Sequence, residues 1–229
     1  MIRPSAAAPW AMAFVVPLPH GVVAGVHLPD APEPVPELIL TRLLEPERRY
    51  AEALRGYRQV QFAGGRLAVA LALAELGSRR VPITSDEHGA PLFPHGVRGS
   101  ISHKNDLAVA LAARGELMLG LDLEDTDRER PGVAERVLTP GELDANLALP
   151  PERRWVDAVL RFSVKEAVYK AIHPALHRYI GFGEVEVWPQ GDGTDRVVPR
   201  SPDLAAYTFE ARHAWLGSRV LTTVKARLA

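Results

Sequence analysis

An α+β fold is predicted by three features of the sequence: strand-like runs near both ends, two long stretches of helical period between them, and no regular strand-helix alternation. The chain has 229 residues, of which 47% are apolar, so it can bury a full core and lies between the usual sizes of one domain and two. One compact unit is expected, built from two similar halves.

The elements follow in order. The apolar stretch from Arg3 through Val26 is interrupted by Pro9, Pro17 and Pro19 and shows no clean cleavage pattern, so it reads as the first strands and not as a signal peptide. Residues 29–36 hold four prolines and form an exposed connector. From Pro46 to Leu76 the residues Leu54, Phe62, Leu67, Ala70, Leu71 and Ala74 recur at mostly three- and four-residue spacings, ahead of a stop at Gly77. Gly56, Gly64 and Gly65 weaken that stretch, each costing a helix interior about 1 kcal/mol against alanine, which leaves one helix or two with a break. Residues 81–99, rich in Pro, Gly and His, read as irregular chain. Leu107–Ala113 and Met118–Glu124 flank Arg114-Gly115-Glu116 and predict a central hairpin. Residues 155–172 return to helical period with two apolar stripes, Trp155, Val159 and Phe162 on one and Leu160, Val164, Val168 and Ile172 on the other, which predicts a mostly buried helix. Gly183–Trp188, Tyr207–Arg212 and Val220–Ala226 read as strands.

Charge narrows the function. Lys and Arg total 27 against 28 Asp and Glu, so no global field draws the protein to nucleic acid or a membrane surface, and a charged partner must be met by a local patch. Apart from that proline-interrupted stretch, no run reaches the roughly 18 uninterrupted apolar residues that a membrane span needs. The absence of cysteine removes disulfides, thiol nucleophiles and cysteine-zinc sites, and fits a reducing cytoplasm.

Four local features carry chemistry. In Gly120-Leu121-Asp122-Leu123-Glu124 a strand would turn the leucines one way and Asp122 and Glu124 the other, with their Cα atoms roughly 6.5–7 Å apart. Both carboxylates then reach one hard cation such as Mg²⁺, or else an edge strand shows an acidic face to water. Lys165, Glu166 and Lys170 lie within the apolar helix. They form either a surface ion pair at i, i+4 or a group that meets a ligand or metal. Gly99-Ser100-Ile101-Ser102-His103 with Lys104 offers turn NH groups, hydroxyls, an imidazole and an ammonium for a phosphate, although a lone histidine is more often structural. Arg58 and Arg66, eight residues apart near one helical face, either grip phosphates or are solvated. A faint echo links Phe62–Arg66 to Phe162–Glu166.

The order and spacing of these four features resemble the phosphopantetheinyl transferases of the larger, surfactin and enterobactin synthase type. Their hallmarks are G-x-D-x-E and, some forty residues later, W-x-x-K-E-A-x-x-K, here Phe162-Ser163-Val164-Lys165-Glu166-Ala167-Val168-Tyr169-Lys170 with phenylalanine for the tryptophan. The enterobactin branch is also similar over Arg58–Arg66, over Gly89–Pro94 with Phe93 where tryptophan is frequent, over Gly99–His103, and over Val137-Leu138-Thr139-Pro140 with Glu142. The likeness covers about residues 38–175.

This resemblance implies two similar α/β halves related by a pseudo-twofold with a cleft between them. Residues 1–115 would bind coenzyme A, and residues 116–229 would carry the Mg²⁺ ligands, the catalytic carboxylate and the carrier-protein docking surface. It implies transfer of 4′-phosphopantetheine from coenzyme A to a serine of an apo acyl or peptidyl carrier protein, with release of 3′,5′-ADP, the activity of a holo-[acyl-carrier-protein] synthase. Asp122, Glu124 and Glu166 would bind Mg²⁺. Glu166 would also take the serine proton, kept ionised by Lys165 and Lys170. Those two lysines would face the pyrophosphate, and Lys170 would steady the leaving group. Arg58, Arg66, Ser102 and His103 would meet coenzyme A, and the carrier would dock near Arg128–Leu149. A cytoplasmic monomer is expected, in siderophore or other secondary-metabolite biosynthesis. Two other functions fit the same residues: a different Mg²⁺-dependent enzyme of pyrophosphates, such as a hydrolase, and a silent carrier-binding module.

Overall fold

A computed structural model describes residues 8–86 and 89–229; the start of the N-terminal apolar stretch at Arg3 lies outside the described residues. The chain divides into two units, one ending at Glu116 and the other beginning at Leu117. Each has an antiparallel sheet crossed by one long helix, so the fold is α+β with two sheet-containing halves.

The first unit runs β1 (Met12–Leu18), β2 (Gly21–His27), α1 (Glu37–Leu40), α2 (Glu45–Ala53), α3 (Tyr57–Glu75), β3 (Thr84–Ser85), β4 (Pro91–Leu92), β5 (Val97–Lys104) and β6 (Leu107–Arg114). Its main sheet has the order β1-β2-β6-β5. Alternation puts Val22, Ala24 and Val26 of β2, with Ala108, Ala110 and Ala112 of β6, into one core with Val60, Ala63, Leu67, Ala68, Ala72 and Leu73 of α3. Alanine is a poor strand former, but three on one face let the helix settle close. The helical stretch breaks at Gly56, whose φ of 59° favours glycine. It does not break at Gly64, where a Cβ would stand 2.2 Å from Leu28 Cδ2.

The second unit runs β7 (Met118–Asp125), α4 (Val133–Val137), α5 (Pro140–Leu147), α6 (Pro151–Leu176), a 3₁₀ turn at Phe182–Glu184, β8 (Val185–Pro189), β9 (Thr194–Pro199), α7 (Pro202–Ala205), β10 (Tyr207–Leu216) and β11 (Arg219–Leu228). Its sheet has the order β7-β11-β10-β9-β8. The helix α6 lies on β7 and β11, packing Val164, Ala167, Val168, Ala171 and Ile172 against Val220, Val224 and Ala226.

Two expectations are corrected and one strand is added. The runs around Gly115 do not pair: β6 is bonded by β2 and β5 on its two edges, and β7 pairs with β11. A strand has only two edges, so a turn sequence does not make a hairpin when both are taken. Residues 97–104, within or beside the predicted irregular stretch, form β5. Strand β9 lies outside the strands that the sequence predicts, although Gly191-Asp192-Gly193 between β8 and β9 is a hairpin signal. Among the described residues no helix is long and apolar enough to cross a membrane.

Candidate active site

Gly120 determines how closely α6 sits on β7. A Cβ there would lie 1.7 Å from Ala167 O and 2.9 Å from Ala171 N, so helix backbone rests directly on strand backbone. The strand face that meets α6 therefore carries Gly120, Asp122 and Glu124, as alternation requires. Ser163, Ala167 and Lys170 recur at i, i+4 and i+7 and so lie along the helix stripe facing it. Asp122, 4% exposed, is held from two turns of α6: Lys170 Nζ donates to Oδ1 at 2.7 Å and Ser163 Oγ to Oδ2 at 2.9 Å. Lys170 Nζ also donates to Leu121 O at 3.1 Å.

Glu166 stands among like charges. Burial is the first cause that lifts its carboxyl above the usual range; Asp122 lifts it next, Lys170 opposes, and Glu124 adds to the rise. Of the two lysines expected to act on Glu166, Lys170 opposes the rise without outweighing desolvation, and Lys165 faces elsewhere. Among the described residues, no three carboxylate or imidazole side chains converge closely enough to enclose a metal ion as placed. The three carboxylates still raise the local negative charge, with Lys170 paired to Asp122 and opposing the rise at Glu166.

Lys165 and Glu166 are sequence neighbours with different surroundings. Lys165 Nζ donates to Val137 O at 2.8 Å, Glu142 Oε2 at 2.6 Å and Phe182 O at 2.8 Å, which occupies all three ammonium donors in a buried site. Burial pulls its pKa below the usual lysine value, with the Glu142 hydrogen bond opposing. The structure therefore gives Lys165 a different task from the expected pyrophosphate contact, tying α4, α5 and the 3₁₀ turn to α6. Its counter-ion Glu142 belongs to the segment of family likeness that begins at Val137. The Thr139-x-x-Glu142 pattern is a capping box, and Glu142 Oε2 indeed accepts from Thr139 N at 2.7 Å. Glu142 Oε1 accepts from Val187 N at 2.6 Å, so this buried carboxylate joins α5, α6 and β8.

Beside Glu124 lies a pocket of about 200 Å³ walled by Val133, Val137, Trp155, Val159, Phe162 and Phe182, with Arg130 and Arg136 also lining it. Phe162, at the tryptophan position of the motif, packs on Phe182 with ring centroids 5.6 Å apart. A smaller pocket of about 90 Å³ adjoins Glu166, Tyr169 and Tyr179.

The remaining predicted residues are in the first unit. Arg58 is exposed at the start of α3, whereas Arg66 is buried, its Nε donating to Ile83 O at 2.7 Å and its Nη2 to Ser85 Oγ at 3.3 Å. Burial lowers the Arg66 pKa to about 10. The two arginines thus differ in environment despite their helical spacing. Gly99–His103 is strand and not turn. Gly99 is needed for close packing, since a Cβ would meet Leu111 O at 2.3 Å and the Phe93 ring at 2.5 Å. As strand neighbours, Ser102 and His103 point to opposite sheet faces, Ser102 buried and His103 exposed.

Both units match known protein families. Residues 45–113 match the 4′-phosphopantetheinyl transferase N-terminal domain, and residues 118–224 match the 4′-phosphopantetheinyl transferase superfamily. The chain is 34% identical over 185 residues to 4′-phosphopantetheinyl transferase Npt of Nocardia iowensis, covering 74% of this chain and 73% of that protein. It is 33% identical over 218 residues to 4′-phosphopantetheinyl transferase Svp of Streptomyces mobaraensis, covering 90% and 86%. Enterobactin synthase component D of Salmonella typhimurium is 34% identical over 123 residues, 50% of this chain and 48% of that protein. With both units matched in order and relatives aligned along most of their length, the chain belongs to the 4′-phosphopantetheinyl transferase family, whose members move the phosphopantetheine arm of coenzyme A onto carrier proteins.

Proposed function

We propose that the transfer depends on Mg²⁺ held by Asp122, Glu124 and Glu166, with Glu166 as the group that accepts the proton of the carrier serine. The supporting observation is the carboxylate set itself: two side chains on one face of β7 and a third on α6, near enough for the first two to perturb the third. All-oxygen anionic donors suit a hard divalent cation, which would neutralise pyrophosphate charge during phosphoryl transfer. Burial raises the Glu166 carboxyl above its ordinary value, a shift in the direction that makes a carboxylate a better general base. Lys170, partly exposed and bonded to Asp122, is proposed to steady the departing 3′,5′-ADP. Arg58, Arg66, Ser102 and His103 are proposed contacts of coenzyme A, Arg66 with two of its donors already committed to Ile83 and Ser85.

The carrier is proposed to dock on residues 128–149, where Arg130 and Arg136 line the apolar pocket. Likeness to the enterobactin enzyme supports a carrier of siderophore or related secondary-metabolite assembly. A cytoplasmic monomer is part of the same proposal; the cysteine-free composition supports the compartment.

The test is incubation of the protein with coenzyme A, Mg²⁺ and an apo carrier domain, read by mass, alongside Glu166→Gln. The variant is expected to bind coenzyme A within a few-fold of the parent and to lose about 10²-fold or more in turnover. Near-parental turnover would remove Glu166 from the role of base, and full turnover in excess chelator would remove the metal.

A further inference from the structure

Behind Asp122 lies a second, wholly buried pair of polar groups. Thr222 of β11 is the residue directly opposite Asp122 of β7, so the two side chains leave the sheet on the same face. Ser163 comes down onto that face from α6. Its Oγ lies 2.9 Å from Asp122 Oδ2 and 2.9 Å from Thr222 Oγ1, and Thr222 Oγ1 is also 3.0 Å from Ser163 O. Ser163 and Thr222 are both 0% exposed.

The proton inventory gives this chain a direction. An ionised carboxylate only accepts, and a hydroxyl has a single proton to donate. Ser163 therefore gives its proton to Asp122 and accepts at its own oxygen from Thr222, whose proton lies between Ser163 Oγ and Ser163 O. Asp122 Oδ2 thus faces the hydroxyl pair within the protein, and Oδ1 faces Lys170.

We infer that Ser163, backed by Thr222, is a positioning residue for the transfer reaction, which acts by fixing the Asp122 carboxylate so that one defined oxygen edge is offered to the cation. The inference rests on the proposed metal role of Asp122. Partners that orient a ligating carboxylate typically govern metal affinity by about 10–100-fold.

The experiment measures Mn²⁺ binding by the full-length protein in the presence of coenzyme A, from the electron paramagnetic resonance signal of free Mn²⁺, below the melting temperature of each variant. Asp122→Asn is expected to lose the site. Ser163→Ala removes the hydroxyl but leaves Thr222 its bond to the residue 163 carbonyl, and is expected to weaken Mn²⁺ by about 10–100-fold. Thr222→Val leaves Ser163 able to donate and is expected to weaken it by a smaller factor. Parental affinity in Ser163→Ala, with the site lost in Asp122→Asn, overturns the positioning role and leaves the metal reading standing. Unchanged binding in Asp122→Asn overturns both. Should Ser163→Ala fail to fold, Thr222→Val decides, and parental affinity there overturns the inference.

Discussion

The two units bring a long helix close to a sheet by opposite means. In the first, the glycine is on the helix: Gly64 of α3 faces Leu28 and Ala108, and side chains fill the remaining space. In the second, the glycine is on the strand: Gly120 of β7 receives the backbone of α6 at Ala167. A helix glycine brings two elements together through side chains that can adjust. A strand glycine brings them together through main chain, which cannot, and it leaves the helix its full set of side chains on either side of the contact. Ser163 and Lys170 are those side chains, and they grip Asp122. The rigid contact thus occurs where carboxylates must be held in place.

Gly120→Ala tests this most severely. With Ala167 O in the way, we expect a loss of roughly 5 kcal/mol in urea unfolding, above the roughly 1–3 kcal/mol usual for overpacking. Parental stability would show that α6 can ride up without cost, and the contrast between the units would collapse.

Lys165→Met comes next. It strands the buried Glu142 carboxylate, and losing one partner of a buried pair costs about 3–5 kcal/mol. Lys165→Met/Glu142→Gln should recover a measurable part of that loss in a double-mutant cycle. A Lys165→Met variant as stable as its parent but weakened toward coenzyme A would return Lys165 to the ligand.

Gly64→Ala should be mild. The obstructing atom is the far end of the Leu28 side chain, and the roughly 1 kcal/mol of helix propensity gained offsets part of the crowding, so a net loss of about 1 kcal/mol is expected. A loss as large as that of Gly120→Ala would remove the distinction between side-chain and main-chain contact.

The smallest effect concerns the helix ends. α3 stops at Gly77 with φ 61°, whereas α6 stops at His177 with φ 49°, and the chain after it is anchored by Arg178 to Glu184 and Asp203. The hydrogen bond from Arg178 is the first cause that lowers the Glu184 pKa to about 2, below its ordinary 4.5. A depressed carboxylate stabilises the fold above its unfolded value, and that contribution is lost as pH falls through the folded value. Glu184→Gln should therefore melt slightly below the parent at neutral pH, by about 2 °C or less because the pair is partly solvated, and the gap should close between pH 4.5 and 2. A gap that persists at pH 2 would separate Glu184 from this anchoring.

What the sequence made legible was local. The facing of Asp122 and Glu124 follows from strand alternation, and the course of α6 from helical period, because each depends on geometry within a few residues. The partner of Lys165 was not legible, since Glu142 is 23 residues away and meets it only after α5 folds back. The capping box was readable, but its second use as a counter-ion was not. Gly99 and Ser100 read as a turn because turns favour those residues, whereas Gly99 is required by the Phe93 ring. Arg114-Gly115-Glu116 reads as a hairpin whether or not its flanking strands pair, and only the occupied edges of β6 exclude it.

The phenylalanine at position 162 has a spectroscopic consequence. The pocket beside Glu124 contains one indole, that of Trp155, whose Nε1 donates to Thr126 O at 2.9 Å. A tryptophan at 162 would have put a second emitter in the same wall. With Phe162 there, a molecule entering the pocket displaces water beside Trp155 alone among the lining residues. Its arrival can thus be followed as a blue shift in the intrinsic fluorescence of the unlabelled protein, assigned by the loss of that shift in Trp155→Phe.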